Sequence, residues 1–313
     1  DLKIDVEGST TTSANVLFDI LRKIPANSEI IFNLKSENKL SLKTQNSDFN
    51  LLCLPTNNFP TFDDNFSKEG IFIKKNDFLS LLNKTKISIS NDDTRHYLNG
   101  IFLHVTEANK NTYLTGVATD SHRLSSSSIL VEGINNFSSI ILPRKTVYLL
   151  CTVLSELDEK LSIQTSSNKI KFSIGNISLI SKVIDGKFPD YQKVIPKDNN
   201  KTLTVSSEEF INSVDRVTSV SLDRKEGIKL ELSKDKLKLS VNSTNSGDGN
   251  EVVSAKYDSE DLTIGFNSKY LIDIASEIED KKLIFNFNNS TSPVLILDNT
   301  NKNSFYVIMP MKI

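Results

Sequence analysis

The densest run of potentially reactive side chains is Asp120, Ser121 and His122, an acid, a hydroxyl and an imidazole in consecutive positions. These are the residue types of a serine hydrolase. Their spacing argues against one, because a triad's nucleophile, base and orienting acid must meet in space from separate elements. No Gly-x-Ser-x-Gly elbow is present. The three histidines (His96, His104, His122) and two cysteines (Cys53, Cys151) lack the spacing of zinc ligands. GDGN at Gly247 lacks the Lys-Ser/Thr of a phosphate loop and reads as a polar turn. The expectation is a protein with no catalytic site of its own, no cofactor and no bound metal.

Other residues point to binding. The only two methionines, Met309 and Met311, fall in the closing stretch FYVIMPMKI. Chain ends are usually polar and frayed. An apolar strand, a proline and two flexible thioethers suit a pocket that repacks around several partners; the bland alternative is core filler. The net charge is −2, so the overall balance does not announce nucleic acid. The six arginines are Arg22, Arg95, Arg123, Arg144, Arg216 and Arg224. Both cysteines lie in apolar runs, which predicts buried free thiols in a reducing cytosol and a cytoplasmic location. No apolar stretch approaches the roughly 20 residues that span a membrane. No signal peptide is visible; the chain begins at Asp1 without a Met, so its true start is expected to be missing.

The elements that must position these residues are legible from periodicity. Leu17, Ile20, Leu21 and Ile24 recur at helical spacing, as do Val147, Leu150, Cys151 and Leu154, and Leu271, Ile274, Ala275 and Ile278. Phe210, Ser213, Val214 and Val217 repeat the spacing with one polar member, and Phe78, Leu81 and Leu82 give a shorter version. Candidate N-caps are Ser13, Asn76, Ser206 or Ser207, and Ser268. Strand-like alternation follows each helix, as in KLSLKT, KIKFSI and KLKLSV. Three apolar strands end in proline, at Pro55, Pro196 and Pro310. One helix plus a few antiparallel strands is therefore a repeat. Five units pair into α+β domains of two helices on sheets, leaving one unpaired at the N-terminus.

Several stretches resemble one family. TRHYLNGIFLHV (Thr94 to Val105), GVATDSHRLS (Gly116 to Ser125), VIDGKFPDYQKVIP (Val183 to Pro196), PRKTVYLL and YVIMPMKI are similar, in order, to segments of the bacterial DNA polymerase III beta subunit, the sliding clamp. The resemblance covers the chain from about Val16 onward. It implies three repeated clamp domains, each of two helices packed on antiparallel sheets, forming a ring as a head-to-tail homodimer. The expected division is 1–60 for the C-terminal half of the first domain, 61–185 for the second and 186–313 for the third. The first part of the N-terminal domain is expected to be absent. Ser121 stands where the family usually has glycine, which costs something if that position needs positive φ.

The function implied is to encircle duplex DNA without sequence specificity and tether the replicative polymerase for processive synthesis. The partners implied are that polymerase, the clamp loader, other proteins with a clamp-binding motif, a second copy of the chain, and no membrane. Carried over by motif, the partner-peptide groove comprises Leu98, Thr119, His122, Arg123, Leu124, Pro189, Lys193 and Val194. Asn267, Tyr270, Val307, Ile308, Met309, Pro310 and Met311 complete it. The DNA-facing candidates are Arg22, Lys23, Arg144, Lys145, Arg216, Arg224 and Lys225. The dimer-seam candidates are Phe49 and Leu51 on one side and Val220 and Leu222 on the other. Asn- and Ser-rich strand repeats also occur in surface adhesins and β-solenoids, but such a chain should show a signal segment and no pocket-like apolar C-terminus.

Overall fold

The computed structural model describes residues 3–60, 66, 70–134, 137–156, 160–221, 227–244 and 246–312. The expectations placed on Leu222, Arg224 and Lys225 lie outside the described residues. The chain divides into two units, 1–65 and 66–313.

The first unit contains β1 (Thr11–Thr12), α1 (Ala14–Lys23), β2 (Ile31–Ser36), β3 (Lys39–Lys43) and β4 (Asp48–Leu54). Its antiparallel sheet has the order β1-β4-β3-β2. The Ser13 side chain caps α1 by accepting from the Val16 amide. Leu17 and Ile20 pack on Leu40, Leu51 and Cys53 as the stripe requires. Leu21, assigned to the same stripe, is exposed. Alternation along β4 turns Leu51 into the unit's own core, while Leu52 and Leu54 point outward.

The second unit holds two repeats. The first comprises β5 (Ile71–Ile73), α2 (Lys75–Lys86), β6 (Gly100–Ala108), β7 (Asn111–Thr119), β8 (Arg123–Leu130), β9 (Ile140–Pro143), α3 (Arg144–Glu156), β10 (Leu161–Thr165), β11 (Lys169–Ile174) and β12 (Ile177–Lys182). The other comprises β13 (Lys201–Ser206), α4 (Ser207–Thr218), β14 (Gly227–Ser233), β15 (Lys236–Ser243), β16 (Gly247–Ser254), β17 (Lys256–Tyr257), β18 (Leu262–Asn267), α5 (Ser268–Ser276), β19 (Lys282–Phe287), β20 (Val294–Asp298) and β21 (Ser304–Ile308). A 3-10 turn at Tyr191–Val194 lies between them. Each repeat has a four-stranded sheet of its own, ordered β12-β11-β10-β5 or β16-β15-β14-β18. A nine-stranded antiparallel sheet, β17-β13-β19-β20-β21-β8-β7-β6-β9, runs through both repeats and joins them at β21 and β8.

The apolar stripes fill two cores. Phe78, Leu81, Leu82, Val147, Leu150 and Leu154 pack with the first repeat's strands, and Phe210, Val214, Val217, Leu271, Ile274 and Ala275 with the second's. Ser206 caps α4. Two cap assignments shift. Lys74 holds the cap position of α2, so Asn76 lies inside its first turn. Asn267, not Ser268, caps α5, accepting from the Tyr270 amide. Cys53 is buried, whereas Cys151 is only half-buried; both are free thiols.

The strand β8 could not be read from periodicity. Its sequence RLSSSSIL resembles a loop in composition, yet Ser125, Ser126 and Ser127 are buried at the centre of the large sheet. Their small size lets the two repeats meet closely, and neighbouring hydroxyls satisfy polar atoms. Ser125 Oγ lies 2.6 Å from Ser88 Oγ, and Ser127 Oγ lies 2.9 Å from Ser304 Oγ.

Candidate functional site

The β8–β21 joint gathers most of the predicted groove residues. Val307 pairs with Leu124 and Ile308 with Arg123. Successive strand residues face opposite ways. Val307 joins Leu98, Val117, Leu124, Ile141, Phe188 and Tyr191 in a small apolar cluster between the repeats. Ile308 turns the other way into the core of the α4–α5 repeat and is fully buried.

The turn between β7 and β8 is saturated with hydrogen bonds. Asp120 Oδ1 accepts from the amides of His122 and Arg123, both at 2.9 Å. Thr119 Oγ1 donates to the Arg123 carbonyl at 2.7 Å and accepts from the Ser121 amide at 3.1 Å. This network holds Ser121 at φ +78°, the left-handed region expected to be costly for serine. Arg123 is buried. Its Nε donates to Asp120 Oδ2 at 3.1 Å, its Nη1 donates to Asp273 Oδ2 at 2.7 Å, and the guanidinium lies 4.2 Å from the Tyr270 ring centroid. Its charge is committed to these two carboxylates. The Tyr270 hydroxyl is pushed up by burial and by the nearby Asp120 carboxylate.

The C-terminal segment is stitched to both repeats by its backbone. The Met309 amide donates to the His122 carbonyl at 2.8 Å, and the Met311 amide to the Gly265 carbonyl at 2.9 Å. Met309 and Met311 each remain 41% exposed, and Val194 49%, so apolar surface is exposed alongside the buried cluster. His122 is exposed and lies 6.5 Å from Tyr270 ring to ring. Pro189 and Lys193 are exposed, with Lys193 paired to Asp190 at 3.2 Å.

The remaining candidates are dispersed. Arg22 and Lys23 are exposed on α1, with Arg22 3.4 Å from Asp19. Arg144 and Lys145 are exposed in the first turn of α3, and the Arg144 guanidinium lies 5.5 Å from the Tyr148 ring. Arg216 is held by both oxygens of Glu251, at 2.6 and 3.1 Å, so its charge is largely balanced. Phe49 is half-buried on β4, and Val220 packs against its own core. Sequence reasoning missed Asp273 and Lys84, both of which bridge the repeats; a lone acid or lysine on a helix gives no signal of a partner 150 residues away. Among the described residues, no group of three His, Cys, Asp or Glu side chains is placed to hold a metal ion. No described helix is long and apolar enough to cross a membrane.

Helix pairs packed on small antiparallel sheets, with one large sheet continuous through successive repeats, define a DNA-clamp architecture. Comparison with known proteins agrees. The family profiles of the DNA polymerase III beta subunit match in order, with the N-terminal domain at residues 1–63, the central domain at 72–190 and the C-terminal domain at 192–312. The beta sliding clamp of Caulobacter vibrioides is 35% identical over 99% of this chain and 84% of its own length. That of Escherichia coli K12 is 32% identical over 98% of this chain and 82% of its own length. A crystal structure of the Caulobacter crescentus clamp superposes with a TM-score of 0.96 at 35% identity, covering 99% of this chain and 83% of that one. A clamp from Bartonella birtlesii bound to griselimycin gives 0.94 at 38% identity, covering 100% and 84%. The chain belongs to the DNA polymerase III beta subunit family, the bacterial beta sliding clamps. Its function is that of a DNA sliding clamp for the replicative polymerase.

Proposed function

We propose that this chain closes a head-to-tail homodimeric ring around duplex DNA in the cytoplasm and docks the polymerase, the clamp loader and other partners through one shared groove. On this reading it is a processivity factor with no catalytic site of its own. We divide it at 1–60, 61–185 and 186–313, with the first domain represented by its C-terminal half.

The observation that carries the groove is the stitched C-terminus. Met309 and Met311 hold their backbones to different repeats while their side chains stay exposed. That combination fixes a position and leaves adaptable apolar surface. Val194, Pro189, His122 and Tyr270 flank it, and Leu98, Leu124 and Val307 form the floor. A partner peptide with an aliphatic and an aromatic residue would bury two side chains, each contributing about 1.5–3 kcal/mol. Ordering the peptide takes part of this back. Dissociation constants of roughly micromolar order follow, which suits partners that must exchange.

Arg144 and Lys145 support DNA facing in a different way. They occupy the first turn of α3, which has no acidic residue. Cations at a helix N-terminus oppose the macrodipole. A locally unfavourable charge placement is explained if a phosphate backbone passes nearby. A ring retained by topology needs only such loose contacts, since tight ones would impede sliding. For the seam, β4 pairs with β1 only at Cys53 and Leu54, which leaves the edge at Asp48–Leu51 unpaired among the described residues. At the other end β16 pairs with β15 and has no second partner among the described residues. Two such edges joined across a seam satisfy each other's backbone groups.

The test is fluorescence anisotropy of a labelled Gln-Leu-x-Leu-Phe type peptide, titrated with the intact chain and with a version cut before Met309. Saturable binding near micromolar, lost in a truncation that keeps its circular dichroism spectrum, is expected. Absence of binding by the folded intact chain would remove the docking role.

A further inference from the structure

Ser121 is exposed and sits at φ +78°, a backbone region that disfavours a side chain. Glycine would occupy the turn without strain. The turn's own hydrogen bonds to Asp120 and Thr119 do not involve the Ser121 hydroxyl. What that hydroxyl does is accept from Arg95 Nη1 at 2.6 Å. Arg95 is also off its regular conformation. Within the 3-10 run Asp93–Leu98 it alone has non-helical angles, φ −113° and ψ 57°. Its Nε donates to Asp92 Oδ2 at 2.9 Å. Asp92 is itself anchored, accepting from the hydroxyl and amide of Thr94 at 2.6 and 2.9 Å.

Two irregular backbone positions thus face one another and are joined by one guanidinium. They belong to the two segments that build one side of the groove. The 3-10 run ends at Leu98, on the floor, and Ser121 precedes His122, on the rim. The His122 carbonyl in turn receives the Met309 amide. Asp92, Arg95, Ser121, His122 and Met309 form a continuous hydrogen-bonded and covalent path from the start of the 3-10 run to the C-terminal segment.

Resting on the docking role proposed above, we infer that Ser121 is a positioning residue of the groove: its hydroxyl clasps Arg95 and holds the rim in the peptide-accepting arrangement, at the expense of local backbone strain. The clasp pre-organises the site, so less ordering remains when a peptide docks. Strain retained at one position for this purpose makes stability and binding respond in opposite directions.

The experiment compares the wild-type chain with S121G, S121N and R95A, and with S121G/R95A, by anisotropy of the same peptide and by thermal unfolding. S121G should unfold at the same or a higher temperature, yet bind the peptide at least threefold more weakly. S121N should keep wild-type affinity, because asparagine tolerates positive φ and supplies an acceptor oxygen for Arg95. S121G/R95A should bind no more weakly than R95A alone. The inference is overturned if S121G binds as tightly as wild type, if its affinity and unfolding temperature fall together, or if S121N fails to restore binding. A wild-type chain that does not bind the peptide at all would instead overturn the docking role, and this inference with it.

Discussion

Arg123 and Asp273 are 150 residues apart in sequence and 2.7 Å apart in space. The pair joins β8 of one repeat to α5 of the next, beneath Tyr270. Replacing Arg123 by alanine would leave Asp120 and Asp273 facing each other without their cation and remove the platform under the ring. A loss of about 3 kcal/mol is expected, because one partner of a largely buried pair is left uncompensated. R123K should recover only part of it, since an ammonium cannot reproduce the fork that reaches both acids. Urea denaturation reads the loss. An R123A chain as stable as wild type would show that the pair does not hold the repeats together.

A second bridge is more deeply buried. The Lys84 side chain is 3% exposed, and its Nζ lies 2.9 Å from Glu279 and 3.6 Å from Asp298. Burial pushes the Asp298 carboxyl up, but hydrogen bonds from Thr300 and the Glu279 amide, with the Lys84 charge, outweigh it and hold the group below the ordinary carboxylate range. Stability from such a depressed acid is present above its unfolded pKa and lost as pH falls through the folded one. K84M should therefore cost about 3 kcal/mol near neutrality. The gap to wild type should narrow below about pH 4, the ordinary aspartate range. Adding D298N should recover part of the loss, and strictly additive losses would count against a coupled pair.

His104 predicts a separate response to acid. Its ring stacks on Phe102 at 4.5 Å, and Nε2 lies 3.1 Å from the Tyr191 hydroxyl. Burial pushes its pKa below the ordinary histidine value, and the backbone groups of Phe102 and Thr115 offset this only in part. The unfolded chain therefore takes the proton first. Stability should fall as pH drops below about 6.5, and the slope should vanish below the folded pKa. In H104F the loss between about pH 7.5 and 5.5 should shrink measurably. Equal losses in the two chains would rule out His104 as the source.

Arg144 and Lys145 should separate binding from folding. Substituting both with glutamine removes cations from a helix start, which should stabilise the chain by about 0.3–1 kcal/mol. Retention on circular DNA should weaken. The log–log salt dependence should flatten by roughly 0.9 for each phosphate that is no longer neutralised. Peptide affinity should not change. Unaltered salt dependence would place these residues away from DNA.

The proposed peptide groove and the α+β repeat differ in how much of them could be read in advance. Helix stripes such as Phe78, Leu81 and Leu82 depend on a local period, and the structure buries all three. The alternating strands KIKFSI and KLKLSV are local in the same sense. Leu98, Leu124 and Val307, named through motif resemblance, meet in one apolar cluster, but that Ile308 and Leu51 turn into cores was not legible. Their facing depends on strand register, and a shift of one residue reverses every side chain.

Residue order alone was enough for the repeated helix-and-strand units, because periodicity, caps and turn residues act over a few positions. It was also enough for the apolar, methionine-bearing C-terminus. Folding in three dimensions was needed to bury the serine run of β8 inside a nine-stranded sheet, to spend Arg123 on Asp120 and Asp273, to balance Arg216 with Glu251, and to clasp Arg95 on Ser121. Each of these is a pairing between distant positions. A charge or hydroxyl carries no local record of its partner; the partner is chosen when strands take their register and helices their packing angle.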